Sequence, residues 1–230
     1  MLFAVAAVAE AGGRAEQSTA GLESFAEITA EVDVAGDVPD PLGHGVADFP
    51  HLAGQGRQYL LEQLNQFKDG SRVNSVMQPI ATALSETDKQ AVAAYFSSLA
   101  PVTITVKPSA PETLKSNTGE WMATRGEFSR GIPACASCHG PQGRGVGTTF
   151  PMLAGLSANY ITQQIEAWQK DARPAGTLGL MGPIAKKLTP AETRAVSDYF
   201  ASLTVAVPAA PAAAAKPAAS GKPTASGASK

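Results

Sequence analysis

Cys135-Ala136-Ser137-Cys138-His139 places two thiols three positions apart, with a histidine directly after the second. These residue types at this spacing can do one particular chemistry. On a single helical turn both sulfurs face the two vinyl groups along one edge of a porphyrin, and the adjoining imidazole lies under the iron as its first axial ligand. The chain has only two cysteines, so the motif uses both and leaves none for a disulfide. A redox-active Cys-x-x-Cys belongs in a βαβ pattern, which this sequence does not show. A structural zinc site needs four ligands, and the other two histidines, His44 and His51, lie far upstream. One covalently attached haem c, with its iron, is the expected cofactor.

The opposite face of the iron needs a second ligand. A methionine thioether commonly fills that place in electron-transfer haem proteins and raises the reduction potential. Three methionines follow or precede the motif closely enough to compete. Met122 sits on the approach to it, Met152 lies in Phe-Pro-Met-Leu-Ala-Gly, and Met181 comes after Gly176 and Gly179 and before Gly182-Pro183. A side chain that must reach the far face suits a loop better than a regular helix, which favours Met181. The expected cofactor-binding residues are therefore Cys135, Cys138, His139 and Met181, with His139 and Met181 as the metal ligands. No catalytic residue is expected.

The elements that must position these groups are helices, and they occur twice. Residues 49–67 match 150–168 without a gap at seven of 19 positions, and residues 77–99 match 181–203 at eleven of 23. The offsets are 101 and 104, so one repeat runs near 42–100 and the other near 119–204. Leu60, Leu61, Leu64 and Phe67 fall at helical spacing, as do Tyr160, Ile161, Ile165 and Trp168. Thr189-Pro190-Ala191-Glu192 is a capping box with proline at the first helical position, and Ser85-Glu86-Thr87-Asp88 plays the same part in the first repeat. Val102–Val106 is the sole strand-like run. It opens a linker over 101–118. Residues 205–230 are rich in Ala, Pro, Gly, Ser and Lys and read as a disordered tail.

Formal net charge is −2, which gives no reason to expect a nucleic-acid partner. The charge is uneven, with nine acids and one base in residues 1–48. Residues 1–41 read as a poorly ordered acidic segment with a short helix near Leu22–Ile28. Met1–Ala9 looks like the apolar core of a secretory signal, with Ala9-Glu10-Ala11 as a small-residue cleavage site. It lacks a positive start, so it reads as a truncated signal and points to a periplasmic protein. No apolar run reaches the ~18 residues of a membrane span.

With Gly131-Ile132-Pro133-Ala134-Cys135, Cys138-His139-Gly140, Phe150-Pro151-x-Leu153-Ala154-Gly155 and Met181-x-Pro183-Ile184 in order, the chain resembles the cytochrome c4-type proteins. The resemblance covers about 42–204. It implies an all-α fold of two tandem cytochrome c-like domains, in which the N- and C-terminal helices of each domain cross. In the second domain it implies that Gly126 and Phe128 meet Tyr199 and Phe200 at that crossing. It also implies a periplasmic electron carrier rather than an enzyme. The first repeat departs from the family. Aligning Gly43-His44-Gly45-Val46 with Gly143-Arg144-Gly145-Val146 puts Ala35, Val38 and Pro39 where Cys135, Cys138 and His139 stand. That repeat keeps Met77, the counterpart of Met181, but is degenerate. Either it is a haem-free remnant, or residues 1–40 replace a lost start through truncation or a shifted reading frame. His44 and His51 align with non-ligands and read as surface or core residues.

The expected role is single-electron shuttling through a His/Met-ligated haem. The expected partners are redox proteins, a reductase and a terminal oxidase or dehydrogenase, and peripheral association with membrane complexes is compatible with this. Two alternatives remain at this stage. One is a haem-containing oxidoreductase, which needs an open iron position. The other is an electron-relay subunit of a larger dehydrogenase or oxidase complex.

Overall fold

Each repeat builds its frame from the periodicities and caps already noted. In the first, α1 (Arg57–Lys68) buries Leu60, Leu64 and Phe67 along one face. It is followed by α2 (Met77–Ala83) and α3 (Glu86–Ser98). Ser85 accepts from the Asp88 amide while the Asp88 carboxylate accepts from the Ser85 amide, so two backbone donors at the start of α3 are satisfied reciprocally. Both α2 and α3 pack on α1. They enclose a core of Leu60, Leu64, Phe67, Met77, Val92 and Phe96. Lys89 is 2% exposed, and its ammonium ends on Glu86 at 2.6 Å and on Asn65.

The computed structural model describes residues 49–101, 103–105 and 118–206. The expected acidic segment, its short helix near Leu22–Ile28, most of the linker and nearly all of the tail lie outside the described residues.

The second repeat has α4 (Thr118–Thr124), the single turn α5 (Ala136–His139), α6 (Ala158–Gln169), α7 (Met181–Ala185) and α8 (Pro190–Ser202). Ser157 caps α6 by accepting from the Tyr160 amide at 3.0 Å. The Thr189/Glu192 box, with Pro190 at the first position, opens α8 as its sequence predicts. α8 packs on both α4 and α6.

The α4–α8 crossing is closed by Gly119. A Cβ there would lie 2.1 Å from the Ala195 carbonyl oxygen and 2.9 Å from the Tyr199 Cβ. This corrects the expectation that Gly126 and Phe128 meet Tyr199 and Phe200. α4 ends at Thr124, before either residue. Gly126, at φ +70°, turns the chain back against the backbone of residues 132–134, and Phe128 is 74% exposed on a 3-10 turn.

Thr103–Thr105 (β1) pairs antiparallel with Thr204–Ala206 (β2), Ile104 opposite Val205. Ile104 is buried in the core of the second repeat. The strand-like reading of the linker therefore holds, and the tail boundary set at 205 falls inside β2. Beyond this ribbon and two isolated bridges, regular structure in the described residues is helical, as the all-α expectation requires. Among the described residues no helix is long and apolar enough to cross a membrane.

Candidate functional site

The two thiols and the imidazole lie on one helical turn. The Cys135 carbonyl accepts from the Cys138 amide at 3.2 Å and the His139 amide at 2.9 Å. Gly140 then leaves the helix at φ +76°, where a Cβ would sit 2.9 Å from the Gly145 oxygen. The chain folds back so that the Gly145 amide donates to the His139 carbonyl at 2.7 Å. Burial pushes the Cys135 thiol up to about 11, so it is protonated at neutral pH.

His139 is buried, and its Nδ1 lies 2.8 Å from the Pro151 carbonyl. A carbonyl can only accept, so Nδ1 carries the proton and Nε2 is the basic nitrogen. Burial lowers the imidazole pKa against the opposing pull of that carbonyl, so the ring is neutral at pH 7. Phe150 packs edge-on against the ring, centroids 6.2 Å apart. The first repeat grips both sides of the Phe150-Pro151 pair. Tyr59 N donates to the Thr148 carbonyl at 2.9 Å. The Met152 amide donates to Gln55 Oε1 at 2.9 Å, and Gln55 Nε2 returns to the Met152 carbonyl at 3.4 Å.

A cavity of about 840 Å3 runs past these groups and on into the first repeat. Cys135, Cys138, His139 and Met181 all line it, so the structure brings the four sequence-derived residues to one space. Met181 is the first residue of α7 and half-buried, directly after the loop containing Gly176 and Gly179 at φ +78° and +64°. Met122 and Met152 also reach the wall, but both are core residues at 3% exposure. Met77 lines the far part of the same cavity with Leu60, Phe67 and Phe96.

Where the repeats meet, six side chains form a network with approximate two-fold symmetry. Arg72 donates to Gln63 (2.7 Å), Gln164 (2.7 Å) and the Tyr160 hydroxyl (3.1 Å). Arg173, its counterpart at the 101 offset, donates to Gln164 (2.9 Å), Gln63 (2.9 Å) and the Tyr59 hydroxyl (3.5 Å). Each guanidinium lies over an aromatic face, Arg72 on Phe67 at 4.5 Å and Arg173 on Trp168 at 4.1 Å. Both arginines are 7% exposed. Among the described residues neither is in an ion pair with a carboxylate. Burial first, and the charge of Arg72 second, lower the proton affinity of Arg173. Burial would raise both phenols. At Tyr59 the charges of Arg173 and Arg72 outweigh it and hold the pKa below the ordinary tyrosine value, whereas Tyr160 stays above it.

Sequence reasoning did not assign roles to Pro151, Gln55 or this network. Tyr59/Tyr160 and Gln63/Gln164 are among the seven identical pairs of the first repeat block, so their signal was present. Arg72 and Arg173 fall between the two matching blocks.

The donor set fits a covalently attached haem. It offers two thiols on one turn, a neutral imidazole with its basic nitrogen free to bind a metal, thioethers, and a largely apolar cavity that is also lined by two buried guanidiniums. Comparisons with known proteins agree. The cytochrome c family model matches residues 132–204. A thiosulfate dehydrogenase electron acceptor of Thiomonas intermedia is 44% identical over 162 residues, 70% of this chain and 73% of that protein. A cytochrome c4 of Pseudomonas aeruginosa is 37% identical over 158 residues, covering 68% and 76%. The crystal structure of reduced cytochrome c4 from Pseudomonas stutzeri superposes with a TM-score of 0.63 at 32% identity, over 83% of this chain and all of that one.

Proposed function

The chain belongs to the cytochrome c4 family of electron-transfer proteins with covalently bound haem c, and on that premise we propose that Cys135, Cys138, His139 and Met181 hold one such haem in the second repeat. The bound haem supplies an iron that gains and loses one electron. Cys135 and Cys138 fasten the porphyrin edge, and His139 presents Nε2 to the iron while Pro151 holds the other ring nitrogen. Met181 approaches from the end of a glycine-containing loop. The observation that carries the reading is the hydrogen bond from His139 Nδ1 to the Pro151 carbonyl, because it sets the tautomer a metal-binding imidazole needs. A haem held by both His139 and Met181 would leave no iron position open to a substrate, which favours an electron carrier over a haem enzyme.

Production in a host with haem-attachment machinery, followed by a pyridine haemochrome assay per polypeptide, tests this. The expected ratio is near one, with the added mass on the peptide containing Cys135 and Cys138. A ratio near zero, or near two, rejects it.

The partner is a redox protein. The thiosulfate dehydrogenase electron acceptor at 44% identity favours a periplasmic dehydrogenase as the electron donor, with peripheral docking on a membrane complex for onward transfer. Stopped-flow mixing of the oxidised holoprotein with a thiosulfate dehydrogenase and thiosulfate should give haem reduction that depends on both. Reduction no faster than with thiosulfate alone removes this donor.

A further inference from the structure

We propose that Gln55 of the first repeat acts on His139 of the second through a single peptide group, and so tunes how strongly that imidazole binds iron. The inference rests on the cofactor reading above and deepens it, by naming a positioning residue outside the repeat that carries the motif.

His139 Nδ1 donates to the Pro151 carbonyl at 2.8 Å. That carbonyl and the Met152 amide belong to one peptide unit, which is trans. In a trans peptide the C=O and the N–H point in opposite directions. The N–H of this unit ends on Gln55 Oε1 at 2.9 Å. A line of hydrogen bonds therefore runs from the imidazole, across the Pro151–Met152 peptide, to Gln55. Hydrogen bonds in series polarise one another. An acceptor on the amide makes the carbonyl a stronger acceptor for Nδ1–H, and a stronger bond there makes Nε2 a more basic ligand.

The local structure leaves this task to the first repeat. Pro151 has no N–H with which to anchor itself. Phe150 before it is bridged to Val146 within the second repeat, whereas the Met152 amide finds its partner in Gln55. Gln55 is 4% exposed and held on a fixed turn. Its own amide donates to the Leu52 carbonyl at 3.0 Å, and the Gly54 amide donates to the Phe96 carbonyl at 2.9 Å. Its Nε2 donates to the His51 and Met152 carbonyls, both at 3.4 Å. A backbone amide can only donate, so the end facing it is Oε1. Gly56 follows, where a Cβ would lie 2.3 Å from the Thr148 carbonyl oxygen. At the 101 offset the counterpart of Gln55 is Leu156, buried in the apolar core of the second repeat. An apolar side chain cannot return the contact. The relay runs one way, toward the repeat that has the histidine.

Gln55→Leu installs the residue found at the equivalent position. It should keep one covalent haem per chain and move the His139 Nδ1 proton resonance upfield in the reduced holoprotein. It should also raise the midpoint potential, because a less basic ligand stabilises oxidised iron less. If either the resonance or the potential stays at its wild-type value, the proposal is overturned. Gln55→Glu keeps an acceptor oxygen and should move the resonance downfield. Leu84→Ala, in the core of the first repeat, should lower the melting temperature and leave both readouts unchanged. An equal shift from Leu84→Ala overturns the proposal, since the effect is then general loosening of that repeat. If Gln55→Leu fails to accumulate, Gln55→Glu against the wild type decides, and a resonance at or upfield of the wild-type position overturns the relay. Absence of covalent haem from the wild type would instead reject the cofactor reading, and the same resonance in the haem-free chain then tests the relay.

Discussion

The two repeats share a scaffold and differ in what is mounted on it. Leu60, Leu64, Phe67, Met77, Val92 and Phe96 of the first stand where Ile161, Ile165, Trp168, Met181, Val196 and Phe200 stand in the second. In both, a long helix, a short one carrying methionine at its start and a capped long helix follow in that order. The apolar frame is thus common. The chemistry resides in the segment ahead of it, where the second repeat has α4 and the Cys135–His139 turn. The difference teaches that the helical frame is a generic packing solution, while the site is a local addition to it. Equivalent positions also record the split. Thr193 is buried in α8, whereas its counterpart in α3 is Lys89, which carries its own ion pair with Glu86.

The sharpest way to break this comparison is at the paired methionines. Met181→Ala should retain the covalent haem but lose the weak sulfur-to-iron band at the red end of the visible spectrum. It should also lower the potential and allow the reduced form to bind carbon monoxide. Met77→Ala should do none of these. A spectral response to Met77→Ala would mean that both repeats ligate iron. Met122→Ala and Met152→Ala should keep the band and cost about 2–5 kcal/mol each in denaturant melts. If either abolishes the band while Met181→Ala keeps it, the ligand is misassigned.

Hydrogen exchange sharpens the same contrast. Amides of α4 and α8, which pack on each other, should exchange slowly in the holoprotein, while those of α1 and α3 should exchange faster, as a ~60-residue unit is marginal by itself. Equal protection would make the first repeat a rigid haem-free module. Gly119→Ala tests what the second repeat adds, since its methyl must displace α4 from α8. A loss of about 1–3 kcal/mol is expected for such overpacking, and an unchanged melting temperature would refute the close crossing.

The smallest effects lie at the caps. Thr189→Ala should cost about 1 kcal/mol. Ser85→Ala should show chiefly as faster exchange at the start of α3. Burial raises the Glu192 pKa, but the Thr189 amide, Arg130 and the Thr189 hydroxyl outweigh it and hold the carboxyl below the ordinary range. A depressed carboxylate contributes stability above its unfolded pKa and loses it as pH falls through the folded one. Glu192→Gln should therefore lower stability at neutral pH and flatten this part of the acid-side decline, read from melts between neutral and acid pH.

Much of the frame was legible because its signals are local. Helical spacing at Leu60–Phe67 and Tyr160–Trp168, and the two capping boxes, act within a few residues. The Cys135–His139 turn was legible for the same reason. Gly119 was not, because its importance depends on Ala195 and Tyr199 across a helix crossing. Phe128 was misplaced because nothing in its own neighbourhood reveals that α4 stops at Thr124. Arg72, Arg173 and Gln55 escaped notice because each acts on partners roughly a hundred residues away. Buried arginine looks like surface arginine until the partner is in place.

The grip of Gln55 on Met152 has a consequence for the rate of electron exchange. An electron transfers quickly when few nuclei must move as the charge changes. The Pro151 carbonyl orients His139, and its two flanks are tied to the first repeat at Thr148 and Met152. Movement of the imidazole would drag this clamp and, with it, the neighbouring repeat. The first repeat thereby stiffens the surroundings of His139, and a haem held there would undergo less nuclear rearrangement with each oxidation or reduction.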